Sequence, residues 1–424
     1  MADGMRAAAP AGVVTRLRRS RAVRNTVRRL GVHRVQRIVG LVQAPVLAAL
    51  DLALRRLPRD PYLVVLGSPL DRFADNSAYL YLHLSSERGS PLTAVWVTGS
   101  PGLVARLRSL GHRAELRWSP AGLRTCLRAG TFTYSGYRSD INRWLSAGAF
   151  ALCLWHGIPI KRIAEGHEAA GRPRRPRLGG EAAPDALLSS TDYVSRDLLA
   201  PAFGVDPERC WELGYPRNDH LLTAPDGPPR GLVDDHAAWE RLHPAGPVVG
   251  LFLTWRDERS TDVVDADVVR RLADVCGRAG GVLAYKAHFN VSGPAVDSVH
   301  CVTLSGDADL NAYLGRCDVL VTDYSSVALD YLLLGRPIVY YMPDREHYAR
   351  TRGFALDPLS LPGSRTEDVA ALLREVARLV QLTAAERAGE AVSNQSLRSR
   401  IWGDDPGHSS AAVAAAIAAR AAQT

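Results

Sequence analysis

The sequence predicts an α/β protein: two open parallel sheets covered by helices, facing one another across a cleft, with a basic helical segment in front. Three observations carry this. From residue 61 onward, short apolar runs alternate with helical stretches and Gly/Pro turns, in two successive series. A Pro/Gly-rich stretch, Ala224 to Pro247, separates the series and reads as a linker. The excess positive charge, finally, is confined to the first sixty residues.

The 424-residue chain carries a net charge of +8. Residues 1–60 hold thirteen Arg against three acids, about +10, so the remainder is slightly acidic. Between Arg16 and Val42 the residues Val23, Val27, Leu30, Val35, Ile38, Val39 and Val42 recur at helical spacing, with Arg between them. Such a basic amphipathic helix suits a membrane-surface anchor or a bundle helix with a solvated face. The Arg excess is larger than solubility requires and favours an anionic membrane surface. Nucleic acid fits poorly, because residues 13–42 hold no aromatic residue for stacking and the rest of the chain is acidic. The longest apolar run there, Ile38 to Leu50, is shorter than the ~20 residues of a spanning helix. No cleavable signal pattern is evident either. The expected location is therefore peripheral, on the cytoplasmic face of the cell membrane. The six cysteines form no CxxC pair, and Cys153, Cys301 and Cys317 lie in apolar runs, as buried reduced thiols do.

Strands are expected at Tyr62–Leu66, Ala94–Val97, Thr131–Tyr134, Ala149–Leu154, Leu187–Ser190 and, shorter, Trp211–Leu213, giving a Rossmann-like domain over 61–230. A second domain, 247–424, is expected from Val248–Leu253, Val282–Tyr285, Cys301–Leu304, Val319–Val321 and Ile338–Tyr341. Ligands of such sheets bind beyond the carboxyl ends of the strands. The Ala-rich tail, Ala411–Ala422, is expected to form a last helix that packs back on the first domain.

The chemistry-bearing residues cluster at those strand ends. Trp155-His156-Gly157-Ile-Pro159-Ile-Lys161 delivers an imidazole into a tight turn, where it is suited to taking a proton from an alcohol or to packing on Trp155. In Gly214-Tyr-Pro216-Arg217-Asn218-Asp219, Arg217 offers a phosphate fork and the next two residues offer helix caps or a solvated turn. Lys286 and His288 project from one face of a strand tip, an arrangement that suits a diphosphate. Thr322-Asp323-Tyr324-Ser325-Ser326 opens an apolar strand into a helix start, as a phosphate site or as a simple N-cap. Against fifty Arg the chain keeps two Lys, Lys161 and Lys286, and both fall inside these motifs. Asp265-Ala-Asp267 and Asp307-Ala-Asp309 imitate a metal-binding DxD but sit at expected helix starts. No metal or cofactor site is assigned.

Taken in order, these blocks resemble the signatures of the CDP-glycerol glycerophosphotransferases, the teichoic acid polymerase and primase family. Phe73-Ala-Asp75-Asn76, Arg352-Gly353-Phe354 and Asp405-Pro-Gly407 add to the likeness, which runs from about residue 62 to 415. The sequence departs from the family pattern after Lys161, at Arg162-Ile-Ala-Glu165, and after His288, at Phe289-Asn290. The resemblance implies a GT-B-like fold, with the CDP donor on the C-terminal domain and the acceptor on the N-terminal one. It implies a transferase moving a polyol phosphate, glycerol phosphate first, from a CDP-polyol to a lipid-linked or polyol-phosphate acceptor, with release of CMP. His156 and His288 are the expected catalytic residues. Lys161, Arg217, Asn218, Asp219, Lys286, Thr322, Asp323, Ser325, Ser326 and Arg352 are expected to bind substrate. A GT-B glycosyltransferase for a capsule or lipid-linked glycan is the competing expectation.

Overall fold

The computed structural model describes residues 51–87, 89–163, 183–223, 231–232, 236–254, 263–286, 298–391 and 395–424. The basic segment up to residue 50 and His288 lie outside the described residues.

The first sheet has seven parallel strands: β1 (Asp60–Gly67), β2 (Thr93–Thr98), β3 (Ala114–Leu116), β4 (Ala129–Tyr134), β5 (Phe150–Cys153), β6 (Ala186–Ser189) and β7 (Cys210–Glu212). Their order is β3-β2-β1-β4-β5-β6-β7. The second has six: β8 (Val248–Leu251), β9 (Val282–Lys286), β10 (Cys301–Leu304), β11 (Val319–Thr322), β12 (Ile338–Tyr341) and β13 (Ser364–Thr366), ordered β10-β9-β8-β11-β12-β13. Among the described residues every pairing within the two sheets is parallel, and runs such as Leu63–Leu66 and Val319–Val321 are buried throughout because helices cover both faces. In each sheet the winding reverses once, between β1 and β4 and between β8 and β11, and a crevice forms at such switch points.

The eleven expected strands are present to within two residues at their ends. The edge strands β3 and β13 were missed, being three residues long with no apolar run. The expected linker also needs correction, because His236–Glu240 within it is helical. Trp239 from that helix is buried with its ring 5.7 Å from that of Tyr313, and Arg241 just beyond donates to the Cys301 carbonyl at 2.7 Å. This part of the stretch is packed against the second sheet.

Apolar burial joins the two halves. One continuous core includes residues of both sheets, while a second cluster fills the outer face of the second sheet beneath the helices Ala266–Arg278 and Val369–Gln381. The last helix, Ser409–Ala421, returns to the first half and packs on the helices Asp75–Ser86 and Pro216–Thr223. Trp402 anchors the segment before it by donating from Nε1 to the Leu329 carbonyl at 2.7 Å. Asp265 and Asp309 are N-caps, accepting from the Val268 and Asn311 amides, so both DxD look-alikes serve helix starts. The six cysteines, all among the described residues, form no disulfide.

Candidate functional site

Loops that follow β1, β5, β8, β11 and β12, with the end of β9, meet around a cavity of about 350 Å³. Arg72, Trp155 to Gly157, Pro159 to Lys161, Phe252 to Thr254, Lys286, Tyr324 to Ser326, Tyr348 and Arg352 supply its wall. Two motifs seen separately in the sequence, the His156 turn and the Ser325-Ser326 turn, therefore come from different sheets to one place.

His156 follows β5 through a sharp turn. Trp155 takes φ 54° and Gly157 φ 146°, values that turn the chain out of the strand direction. Gly157 is needed as glycine: a Cβ there would lie 2.5 Å from Ser326 Oγ and 3.2 Å from Arg217 Nη2. The Trp155 ring packs against the imidazole, with centroids 3.8 Å apart, and edge-on against Phe203. His156 Nδ1 lies 3.1 Å from the Ser135 carbonyl. A carbonyl only accepts, so Nδ1 carries the proton and the Nε2 lone pair remains for a substrate. The ring is open to the cleft, yet protein walls rise around it and displace bulk water. Burial accordingly lowers its pKa below the usual histidine value, against the opposing field of Asp75. A neutral imidazole with a free lone pair at pH 7 is a competent proton acceptor.

Lys286 ends β9 and donates from Nζ to the Ala308 carbonyl at 2.8 Å. Burial, followed by the neighbouring Arg72, brings its pKa down to about 8, against the pull of Asp309 and Asp307. Lys286, Ser325 and Ser326 share the cavity with His156, as do Lys161 and Arg352. The helix beyond Ser326 is short, Val327–Tyr331, and Ser325 Oγ accepts the Val327 amide weakly at 3.4 Å. Both hydroxyls thus sit at the cavity wall with little capping duty.

Other expected ligands are placed differently. Thr322 is fully buried and donates to the Phe252 carbonyl at 2.6 Å. Asp323, also fully buried, accepts the Thr254 amide at 2.8 Å, so this pair shapes the loop after β8 and neither residue lines the cavity. Asp219 accepts the Ser409 and Ser410 amides at 2.9 and 2.7 Å and caps the last helix. Asn218 donates to Asp330 and accepts from Asn311, both at 3.3 Å. Arg217, with 5 % of its side chain exposed, pairs with Asp75 at 2.8 Å and Asp330 at 2.6 Å and donates to the His156 carbonyl at 2.8 Å. These polar groups are committed to protein partners because the sequence placed them where two sheets and the last helix converge.

The resulting network was not legible as such. Asn76 donates to the Trp155 carbonyl at 2.9 Å and accepts the Arg217 amide at 3.2 Å, and Asp309 accepts the Asp75 amide at 2.9 Å. Residues of the first sheet's loops and of the second sheet's helices are thus bonded through one guanidinium. Burial pushes the Asp330 carboxyl up to about 6, with Arg217 opposing. The Arg217 side shows the reverse balance, since Asp330 and Asp75 outweigh its burial and raise its pKa. At 2.6 Å, and with a guanidinium that does not deprotonate, the charged pair is the state at neutral pH. A backbone clasp lies on the cavity's other side: Arg162 donates to the Gly353 carbonyl at 3.1 Å and Ala355 to that of Ile160 at 2.8 Å. That clasp joins the His156 turn to the Arg352-Gly353-Phe354 block.

The family described as CDP-glycerol:poly(glycerophosphate) glycerophosphotransferase matches residues 50–418. Among curated relatives, a teichoic acid poly(glycerol phosphate) polymerase of Staphylococcus epidermidis is 26% identical over 277 residues, 58% of this chain and 37% of that one. A teichoic acid glycerol-phosphate transferase of Staphylococcus aureus is 27% identical over 246 residues, 52% of this chain and 60% of that one. The chain thus spans less than two thirds of the length of these relatives. A solved structure of the wall teichoic acid polymerase TagF superposes with a TM-score of 0.67 at 20% identity, covering 93% of this chain and 98% of its own. The two-sheet GT-B-like architecture is the same in both.

Proposed function

The chain belongs to the CDP-glycerol:poly(glycerophosphate) glycerophosphotransferase family, and from that premise we propose that it transfers a polyol phosphate from a CDP-polyol to an acceptor hydroxyl, with glycerol phosphate the first candidate. The observation that carries the reading is the convergence of His156 with Lys286, Ser325 and Ser326 on one cavity between the sheets.

In this mechanism the donor diphosphate lies against Lys286, Ser325 and Ser326, with Lys161 and Arg352 adding positive charge. His156 Nε2 takes the proton of the acceptor hydroxyl as its oxygen bonds to the β-phosphorus. The bond from that phosphorus to the bridging oxygen breaks, and CMP leaves. Fixed donors around the phosphorus stabilise the charge that spreads over its oxygens. His288, two residues beyond Lys286, is proposed as a further catalytic group on the diphosphate. The 61–230 region would serve the acceptor and 247–424 the donor.

The test is incubation with candidate CDP-polyols and a short-chain lipid-phosphate acceptor, reading released nucleotide and product mass. CMP and a product heavier by one polyol phosphate are expected, whereas CDP or UDP release from a sugar donor would mean glycosyl transfer. The same assay fixes the pH dependence. His156 must be neutral, so kcat/KM should fall on the acid side only below pH 6.5, because burial lowers its pKa. Lys286 must be charged, so kcat/KM should fall again as pH rises through about 8. Bound diphosphate holds that proton more tightly, and the alkaline limb of kcat should therefore lie higher.

The basic segment before residue 60 is proposed to hold the enzyme on the cytoplasmic face of an anionic membrane, where a lipid-linked acceptor would be met. Among the described residues no helix is long and apolar enough to cross a membrane. The full chain should bind phosphatidylglycerol vesicles at low salt and release them as salt screens the Arg charges. A chain beginning at Pro58 should lose that binding and keep its fold. Full-length protein indifferent to such vesicles at low salt would remove the anchor.

A further inference from the structure

A second cavity, of about 160 Å³, abuts the first and shares Arg72, His156, Lys286, Leu310, Ser325 and Ser326 with it. It is less than half the volume of its neighbour, and its remaining wall has a different chemistry. Asp75, Asp309 and Asp330 contribute three carboxylates, and among the described residues Arg217 is the one further cation beyond the shared wall. Arg217 is already matched by Asp75 and Asp330. The shared wall thus carries the cations Arg72 and Lys286, and the remaining wall carries the three carboxylates.

A phosphate would be repelled by that acidic wall, whereas hydroxyls can donate to it. The carboxylates differ in what they have left to offer. Asp309 accepts the amides of Asp75 and Asn311 through its two oxygens. Asp330 accepts from Arg217 and Asn218 through its two. Asp75 uses Oδ1 for both Arg217 and the Asn76 amide, and among the described residues no hydrogen bond engages its Oδ2. Its side chain is 19% exposed. A carboxylate with one oxygen left to offer therefore lines a small cavity whose shared wall holds the imidazole and the proposed diphosphate-binding groups.

Resting on the function proposed above, we propose that this second cavity seats the terminal polyol of the acceptor. Asp75 Oδ2 accepts a hydrogen bond from one hydroxyl, and an adjacent hydroxyl is presented to His156 Nε2 for attack. The ligand is a short, uncharged, hydroxylated chain end, and the phosphate next to it along the acceptor stays outside the acidic wall. Asp75 then becomes a determinant of which polyol is extended, because it reads a hydroxyl other than the nucleophile.

The test uses the full chain, the CDP-polyol that the wild-type protein turns over, and a short-chain lipid carrying one terminal polyol phosphate as acceptor. Asp75→Asn removes the charge from the hydroxyl-binding oxygen, and acceptor KM should rise about tenfold or more. Ala308→Leu narrows the same cavity from a half-buried position and keeps the Asp75, Arg217 and Asp330 side chains themselves. Its carbonyl still holds Lys286, so this variant decides the question even if Asp75→Asn folds poorly. Acceptor KM should again rise about tenfold, with donor KM within about twofold. Raised donor KM with unchanged acceptor KM in Ala308→Leu would assign the cavity to the donor and overturn the proposal. No change in either constant would overturn it as well. A wild-type protein that transfers nothing from any CDP-polyol would instead sink the proposed function, and the subsite with it.

Discussion

His156→Ala should lower the transfer rate by roughly two to four orders of magnitude while leaving donor affinity within a few-fold. A primary alcohol holds its proton tightly at neutral pH, so bond formation to phosphorus needs a base in contact with the hydroxyl. The Ser135 carbonyl fixes the imidazole with its Nε2 lone pair free, and burial keeps it neutral. In the proposed mechanism the donor phosphates are held by Lys286, Ser325 and Ser326 from the other sheet, which the substitution does not touch. A purely packing histidine, stacked on Trp155, would give the opposite pattern. Melting temperature would then fall while turnover survived. Turnover, donor affinity and thermal unfolding measured on one preparation separate the two roles.

Arg217→Ala should be the most destabilising of the substitutions at the site. It leaves Asp75 without its cationic partner, and Asp330 with only Asn218, at a buried junction. Breaking a buried ion pair from one side costs about 3–5 kcal/mol. The same change removes the donor to the His156 carbonyl, so activity should fall even at temperatures where the protein is folded. Arg217→Lys should recover part of the stability, since one ammonium meets one carboxylate but cannot span both. Chemical denaturation of the three proteins checks this. A stability unchanged in Arg217→Ala would show that the network is incidental to holding the halves together.

How much of this was legible follows from the range of the interactions. Strands such as Val319–Thr322 announce themselves locally through continuous apolar runs between turns, and so do the motifs at their ends. The cations at Lys161 and Lys286 stood out against the Arg bias, and both line the cavity. Arg217, Asn218 and Asp219 meet protein partners that are remote in sequence: Asp75 and Asp330 for the first, Ser409 and Ser410 for the last. A Gly-x-Pro-Arg-Asn-Asp turn looks the same whether its guanidinium meets phosphate or carboxylate. Thr322 and Asp323 follow the same logic, since a strand end can point its polar groups at a ligand or at the loop of the neighbouring strand. Nothing local in Asp330 marks it as buried against an arginine 113 positions earlier. The helix His236–Glu240 was hidden by its Pro/Gly-rich surroundings, although Trp239 within it was the available clue to a packed element.

The most direct test of the account is the position of a bound donor. Crystals of the His156→Ala protein, which should bind without turning over, would be soaked with CDP-glycerol. The proposed mechanism requires the β-phosphate within hydrogen-bonding distance of Lys286 Nζ and of the Ser325 or Ser326 hydroxyl, with its open face toward residue 156. A diphosphate found away from Lys286 and the two serines, or with its β-phosphorus turned from residue 156, would contradict it.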